Sequence, residues 1–313
     1  MSAAGRAEAA RGTWVAVGTF VLWGVAPLYW HLLKAVPSLQ IVLHRVVWSA
    51  LMVGAFLFWR DGRHWFRAVL AGHPRLWWML LLSGVLISCN WGLYIWAVNA
   101  GHVVETALGY FINPLLNVVI GVLFLRERLR PLQWASVAIA FAGVLWLTVQ
   151  YGSFPWIALT LALSFGIYGV LRKLAHVDSV AGLGVESAYL FLPVLGWLLW
   201  SEFHGTGGFL ALGDGPGYGM TANLLLVLSG LVTALPLVGF AYAVRRISLT
   251  SVGILQYIAP TLQFLIGVFV FAEPFDRARL VGFACIWLAL AVFVVDGLRN
   301  SRRMREAALA ELA

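Results

Sequence analysis

The chain has 313 residues, 62% hydrophobic and only 11% charged, where a soluble domain carries about 25% charged residues, so water is the wrong solvent for most of it. Its net charge of +8 comes without a basic stripe interleaved with aromatics, which argues against a nucleic-acid partner. Its two cysteines, Cys89 and Cys285, each sit inside an apolar run, so neither a disulfide framework nor a zinc motif is expected.

In chain order, residues 1–11 form a small, Ala-rich lead carrying Arg6 and Arg11. The apolar run Trp14–Leu33 is long enough to span a bilayer, and no A-x-A-like cleavage site closes it, so it reads as a retained first span. Further runs follow with short breaks: Leu39–Trp59, Leu76–Asn99, Val103–Leu125, Leu132–Val149, Trp156–Leu171, Leu183–Trp200, Asn223–Val244, Val252–Phe271 and Leu280–Val295. They lack the alternation of barrel strands, and lipid satisfies no open backbone group, so helices are expected throughout. Sixteen Trp and nine Tyr suit aromatic belts at two membrane interfaces.

Charge sets the orientation. Of the 21 Lys and Arg, 17 fall in segments on the side of the N-terminus, Arg45 lies within a span, and only Lys34, Arg277 and Arg279 fall on the other side. The positive-inside rule then puts both termini in the cytoplasm and requires an even number of spans.

The chain also repeats. Shifted by 146 residues, Phe111-Ile112-Asn113-Pro114 lands on Tyr257-Ile258-Ala259-Pro260, and Leu116, Ile120, Gly121 and Glu127 land on Leu262, Ile266, Gly267 and Glu273. Shifted by 142, Trp14, Ala16, Gly24 and Leu32 land on Trp156, Ala158, Gly166 and Leu174. The expected fold is therefore an all-α polytopic membrane protein, ten transmembrane helices as two five-helix repeats over residues 12–151 and 152–298, with a basic cytoplasmic tail at 299–313. Five is odd, so the copies must be inverted, the plan on which secondary transporters place a substrate site near the midplane.

The stretch from Asn90 to Leu129, NWGLYIWAVNAGHVVETALGYFINPLLNVVIGVLFLRERL, together with HRVVWS at His44–Ser49 and GILQYIAPTLQF at Gly253–Phe264, resembles the signature of the RarD-type permeases, in the EamA group of the drug/metabolite transporter superfamily. The resemblance covers about residues 11–297. It leaves the Gly-rich outer loop Gly205–Gly219 unmatched, implies a ten-helix inverted-repeat carrier in the bacterial inner membrane, and leaves the substrate undefined.

Polar residues inside spans are the candidate site. Asn90 and Tyr94 share one face of the third span, and Tyr110, Asn113 and Asn117 one face of the fourth. Gln256 and Gln263 occupy the places of Tyr110 and Asn117 in the second copy, interleaved with Trp91 and Tyr257. This stripe reads as the hydrogen-bonding and aromatic wall of a cavity for a small amphipathic or aromatic molecule; it also admits a reading as interhelical glue. His44 falls on Glu186 under the shift of 142, a titratable pair suited to proton coupling, with Arg45 beside it either as a substrate or proton site or as a snorkelling residue. Pro114 and Pro260 are expected as paired hinges. Glu127 and Glu273 end their spans and read as caps or hairpin ion pairs.

No G-x-S-x-G, H-E-x-x-H or Walker motif occurs, so no catalytic set, metal or cofactor is expected. The expectation is a gradient-driven secondary carrier whose partners are the bilayer and a small organic substrate. The alternatives are a membrane enzyme for a lipid-linked substrate centred on His44, Arg45 and Glu186, or a non-transporting regulator. Direction of transport and oligomeric state stay open.

Overall fold

The computed structural model describes residues 3–71, 74–99, 102–152, 154–211, 217–271 and 277–310, and the described residues fold as a bundle of α-helices. In order these are α1 (Ala3–Leu32), α2 (Ser38–Asp61), α3 (Trp65–Leu70), α4 (Pro74–Asn99), α5 (Val103–Leu123), α6 (Pro131–Tyr151), α7 (Trp156–Leu174), α8 (Ser179–Phe203), α9 (Met220–Val244), α10 (Leu249–Gln256), α11 (Ile258–Phe269) and α12 (Arg277–Ala310). Among the described residues nine stretches are long and apolar enough to cross a membrane, and a shorter apolar stretch, Leu108–Leu123, lies in α5. This is a polytopic membrane protein of about ten spans. Its periphery is apolar, as lipid requires: Trp59, Trp78, Phe124, Leu192, Leu235 and Phe269 all stand exposed.

Three features depart from the expected elements. The helix of the first span begins at Ala3 and runs through the expected lead, and α12 likewise continues through the expected tail to Ala310. The segment after α2 holds a short helix, α3, whose Trp65, Phe66 and Val69 pack on Leu80 and Val185. The ninth span is two helices. Proline has no N–H to donate to the carbonyl four residues back, so Pro260 cannot bond Gln256, and the chain closes a tighter turn there, Tyr257 N–H to Ile254 O at 3.2 Å. Pro114, its counterpart, sits inside an unbroken α5. Gly101, in the break between the third and fourth expected spans, and Glu273 lie outside the described residues.

Helix neighbours come in matched pairs. α1 packs on α9 and α11, and α7 packs on α4 and α5; α2 meets α8, α5 meets α10, and α6 meets α12. Exchanging α1 with α7, α4 with α9, and α5 with α10 and α11 turns the first two packings into each other. Small residues allow these approaches. A Cβ on Gly24 of α1 would meet Leu262 of α11 at 2.7 Å, and one on Gly166 of α7 would meet Ile120 of α5 at 2.9 Å. At Gly230 the main chain of α2 is so close that a Cβ would stand 2.6 Å from the Trp48 carbonyl carbon.

The two ends of the bundle differ. The end that holds the start of α1 also gathers the end of α2, the start of α6 and α8, and the α9–α10 connection. Ion pairs join these segments: Glu8 with Arg246 at 3.2 Å, Arg60 with Asp178 at 3.0 Å, and Arg130 with Asp296 through Nε at 2.8 Å. We call it the basic end. At the far end aromatic contacts replace charge, as where Trp96 meets Trp156 at 6.0 Å and His31 stacks on Phe271 at 4.8 Å.

Candidate functional site

A cavity of about 410 Å³ lies in the half of the bundle away from the basic end. That size is within the few hundred Å³ typical of pockets for small organic ligands, roughly 300–1,000 Å³. Its walls come from both halves of the chain. α1 contributes Trp23 and Trp30, α2 Ser38 and Arg45, α4 Asn90, Trp91 and Tyr94, and α5 Thr106, Tyr110 and Asn113. The second half contributes Phe165 from α7, Leu237 from α9, and Gln256, Pro260 and Gln263 from α10 and α11. The break at Tyr257 is adjacent, so an interrupted helix borders the cavity.

The polar groups there divide into committed and free. The Asn90 amide donates to the Leu161 carbonyl at 2.8 Å and the Ser164 hydroxyl at 2.9 Å, fixing α4 to α7. Gln263 donates to the Trp23 carbonyl at 3.1 Å. Asn113 is different: its side-chain oxygen is buried without a hydrogen-bond partner. The Tyr94 and Tyr110 rings meet edge to face at 6.0 Å.

Arg45 is the one charged residue among the described lining side chains. Its Nε donates to the Thr233 hydroxyl at 2.9 Å. The guanidinium carbon stands 4.6 Å from the Trp30 ring centroid and 5.1 Å from that of Trp91. Two indole faces thus take part of the work of hydration for a cation held at membrane depth.

Seven of the nine residues expected in the cavity wall line it: Asn90, Trp91, Tyr94, Tyr110, Asn113, Gln256 and Gln263. Asn117 and Tyr257 do not. Asn117 is wholly enclosed and donates to Gln256 Oε1 at 2.8 Å, and the enclosed Tyr257 hydroxyl donates to the Phe111 carbonyl at 3.2 Å. Both tie α5 to the second half of the chain. Pro260 borders the cavity, and Pro114 lies outside it with its carbonyl against Gly253 of α10.

His44 and Glu186 occupy separate places, neither in the cavity wall. His44 is buried with both ring nitrogens unpartnered, its ring 4.8 Å from Phe209 of the loop after α8. That loop is held by Glu202, whose carboxylate accepts the Phe209, Leu210 and Ala211 N–H groups at 2.9, 3.0 and 3.1 Å. Glu186 lies toward the basic end, buried in an ion pair with Arg172 at 3.2 Å and accepting a hydrogen bond from Ser83. Arg172, which the charge count assigns to a loop, is 1% exposed and also donates to the Ser179 carbonyl at 2.9 Å. Glu186 borders a void of about 20 Å³ that shares Trp91 and Leu237 with the main cavity.

Beside it, Glu127 caps a helix of the other half. It accepts the Leu249 and Thr250 N–H groups at 2.6 and 2.9 Å and the Thr250 hydroxyl at 2.8 Å, with Lys173 Nζ 3.5 Å away. Lys173 also donates to the Ile247 carbonyl at 3.0 Å, and Arg245 to that of Val177.

Sequence reasoning passed over Trp23, Trp30, Phe165, Ser38, Thr106 and Thr233. A signal existed for two. The shift that lays Gly24 on Gly166 also lays Trp23 on Phe165, and their rings meet in the cavity wall at 5.9 Å.

Residues 10–149 match the model of the EamA-like transporter family. The chain is 45% identical over 288 residues to the protein RarD of Streptomyces exfoliatus, covering 92% of this chain and 89% of that one. It is 42% identical over 306 residues to a Vibrio cholerae protein named as an uncharacterized transporter, covering 96% and 97%. A solved crystal structure 22% identical in sequence shares the fold with a TM-score of 0.66 over 90% of this chain and 96% of that chain.

Proposed function

The chain belongs to the EamA-like transporter family, as a RarD-type permease, and from that premise we propose that it is a secondary carrier working by alternating access on a small organic metabolite or drug-like molecule. The observation that carries the reading is the cavity built jointly by both halves and confined to one half of the bundle, while ion pairs and capped helix ends close the basic end. A pathway open to one side at a time needs that asymmetry.

The matched packings of α1 and α7 support two five-helix units, residues 12–151 and 152–298, that rock against each other about the cavity. Pro260 and the break beside it supply one hinge, and Pro114 against Gly253 the other. The charge bias supports a cytoplasmic basic end with both termini inside, in the bacterial inner membrane, so that the cavity faces outward in this conformation. Single cysteines in Asp61–Arg67 should then react only from the cytoplasm, and single cysteines in Gly205–Gly219 only from outside. Labelling of both from one side overturns the topology.

An enzyme centred on His44, Arg45 and Glu186 would need them in one place, and they lie in three environments.

A gradient must drive accumulation, and the proton is the candidate. Glu186 has one unpartnered oxygen at a void separated from the cavity by Trp91 and Leu237, so rearrangement there can exchange a proton and the Arg172 contact. Glu186→Gln should abolish accumulation driven by a pH gradient in proteoliposomes while substrate counterflow persists. Wild-type transport indifferent to the gradient, or a fully gradient-driven variant, refutes the coupling role. Absence of any solute movement by the wild type refutes the carrier.

A further inference from the structure

We infer that the ligand of the cavity is an organic anion, a carboxylate on an apolar or aromatic body, with Arg45 as the residue that binds the carboxylate. The inference deepens the carrier reading and rests on it. It starts from an imbalance: Arg45 brings a permanent positive charge into a low-dielectric bundle, and among the described side chains no carboxylate lines the cavity with it. Elsewhere the buried Arg172 is matched by Glu186 and the half-buried Lys173 by Glu127. An unpaired cation at membrane depth is costly unless it finds a partner or water. Arg45 is not a snorkelling residue either, for its Nε is fixed to Thr233 and its plane lies by the rings of Trp30 and Trp91.

The geometry fits one chemistry. With Nε taken by Thr233 and the indoles of Trp30 and Trp91 beside the guanidinium, the Nη edge of the fork is what remains, and two parallel N–H groups match a carboxylate. Asn113, whose side-chain oxygen has no partner, adds a free amide on the wall; since amide oxygen and nitrogen are assigned from the surrounding bonds, it can offer an N–H or an oxygen to the ligand. Trp23, Tyr94 and Phe165 offer flat apolar surface for the body of the molecule. A cationic ligand would meet Arg45 with no compensating acid among the described lining side chains. The repeat adds one observation: under the shift of 142 Arg45 falls on Ser187, so its charge is a feature of one copy only.

The test uses the purified full chain and thermal stabilisation, since a ligand of the folded state raises its apparent stability. The probes are phenylacetate, indole-3-acetate and hexanoate, the amide of each, and phenethylammonium. The acids should stabilise the wild type, the amides at least about tenfold more weakly by apparent Kd, as expected when a charge-assisted hydrogen-bonded pair is lost, and phenethylammonium not at all. Arg45→Gln should remove the preference for acids over amides, and Arg45→Lys, which keeps charge without the fork, should restore it in part. If Arg45→Gln fails to fold, Thr233→Val reads the same site by freeing Nε and altering acid affinity while leaving amide affinity alone. The inference is overturned if no acid stabilises the protein, if acids and amides act equally, or if the acid preference survives Arg45→Gln. Counterflow of the same probes in proteoliposomes separates the two claims. Movement of amides without acids removes the anion and keeps the carrier; binding of acids without movement of any probe keeps the anion site and removes the carrier.

Discussion

The far half and the basic end of this bundle use polar residues in different ways. At the basic end the charges are paired within the fold: Arg172 with Glu186 and a carbonyl, Glu127 with two N–H groups, a hydroxyl and Lys173, although Arg172 Nε and one Glu186 oxygen have no partner. Around the cavity Arg45 and Asn113 keep capacity unspent. A helix bundle can close where its charges pair within the fold and bind where a charge faces a cavity. The comparison teaches that polarity inside a membrane span is no guide to function by itself; whether its charge is paired within the fold is.

The largest expected effect tests the closed end. Arg172→Met leaves Glu186 without its cation, and breaking a buried pair from one side typically costs about 3–5 kcal/mol. A fall of that order in unfolding free energy, with reduced yield, is expected. Glu186→Leu in the same chain should recover much of it, because two apolar residues of similar size carry no unpaired charge. A single variant as stable as wild type would mean that the pair contributes nothing to closure.

A smaller effect tests the seam between the halves. Glu127→Gln keeps the shape of the α10 cap but removes its charge from a helix N-terminus and from Lys173, at a cost of about 1–2 kcal/mol. Hydrogen exchange at the Leu249 and Thr250 amides should quicken several-fold, with cavity-facing helices unaffected. Unchanged exchange would show that the basic end is held elsewhere.

The sequence displayed the closed end poorly and the spans well, for physical reasons. Lipid forces each span to declare itself by length and composition, so about ten helices and an interrupted polar stripe could be read directly. The break at Tyr257 was half visible, because Pro260 removes one hydrogen bond and tertiary packing decides whether the helix bends or parts; Pro114 faces the same loss inside an intact α5. Arg172 looked like a loop residue because the charge count sees position along the chain and not the carboxylate 14 residues on that draws it in. His44 and Glu186 aligned in sequence but stand toward opposite ends, the arrangement an inverted pair would give. The aromatic wall was hidden by its own abundance: among 16 Trp, nothing in composition separates Trp23 and Trp30 from those that face lipid.

The smallest and sharpest test compares two residues of one type on one helix. Asn113 and Asn117 are a single turn apart on α5 and share a face, so their spacing gives them one role. Their surroundings give them two. Asn117 is fully enclosed and bonded to Gln256 across the seam, so Asn117→Ala removes a bond, orphans the Gln256 oxygen and leaves a small void. A loss of about 1–3 kcal/mol is expected, read as a lower unfolding temperature, with transport per folded molecule largely kept. Asn113 forms no such bond and lines the cavity, which Asn117 does not. Asn113→Ala should therefore stay within about 0.5 kcal/mol of wild-type stability while lowering ligand affinity and transport at unchanged protein in the membrane, and Tyr110→Ala should behave like it. The pair must be measured together, because a defect in either alone can be assigned to misfolding. If Asn113→Ala loses stability and Asn117→Ala loses transport, the division between an amide that faces the cavity and one that bonds across the seam fails at the place where the two regions meet.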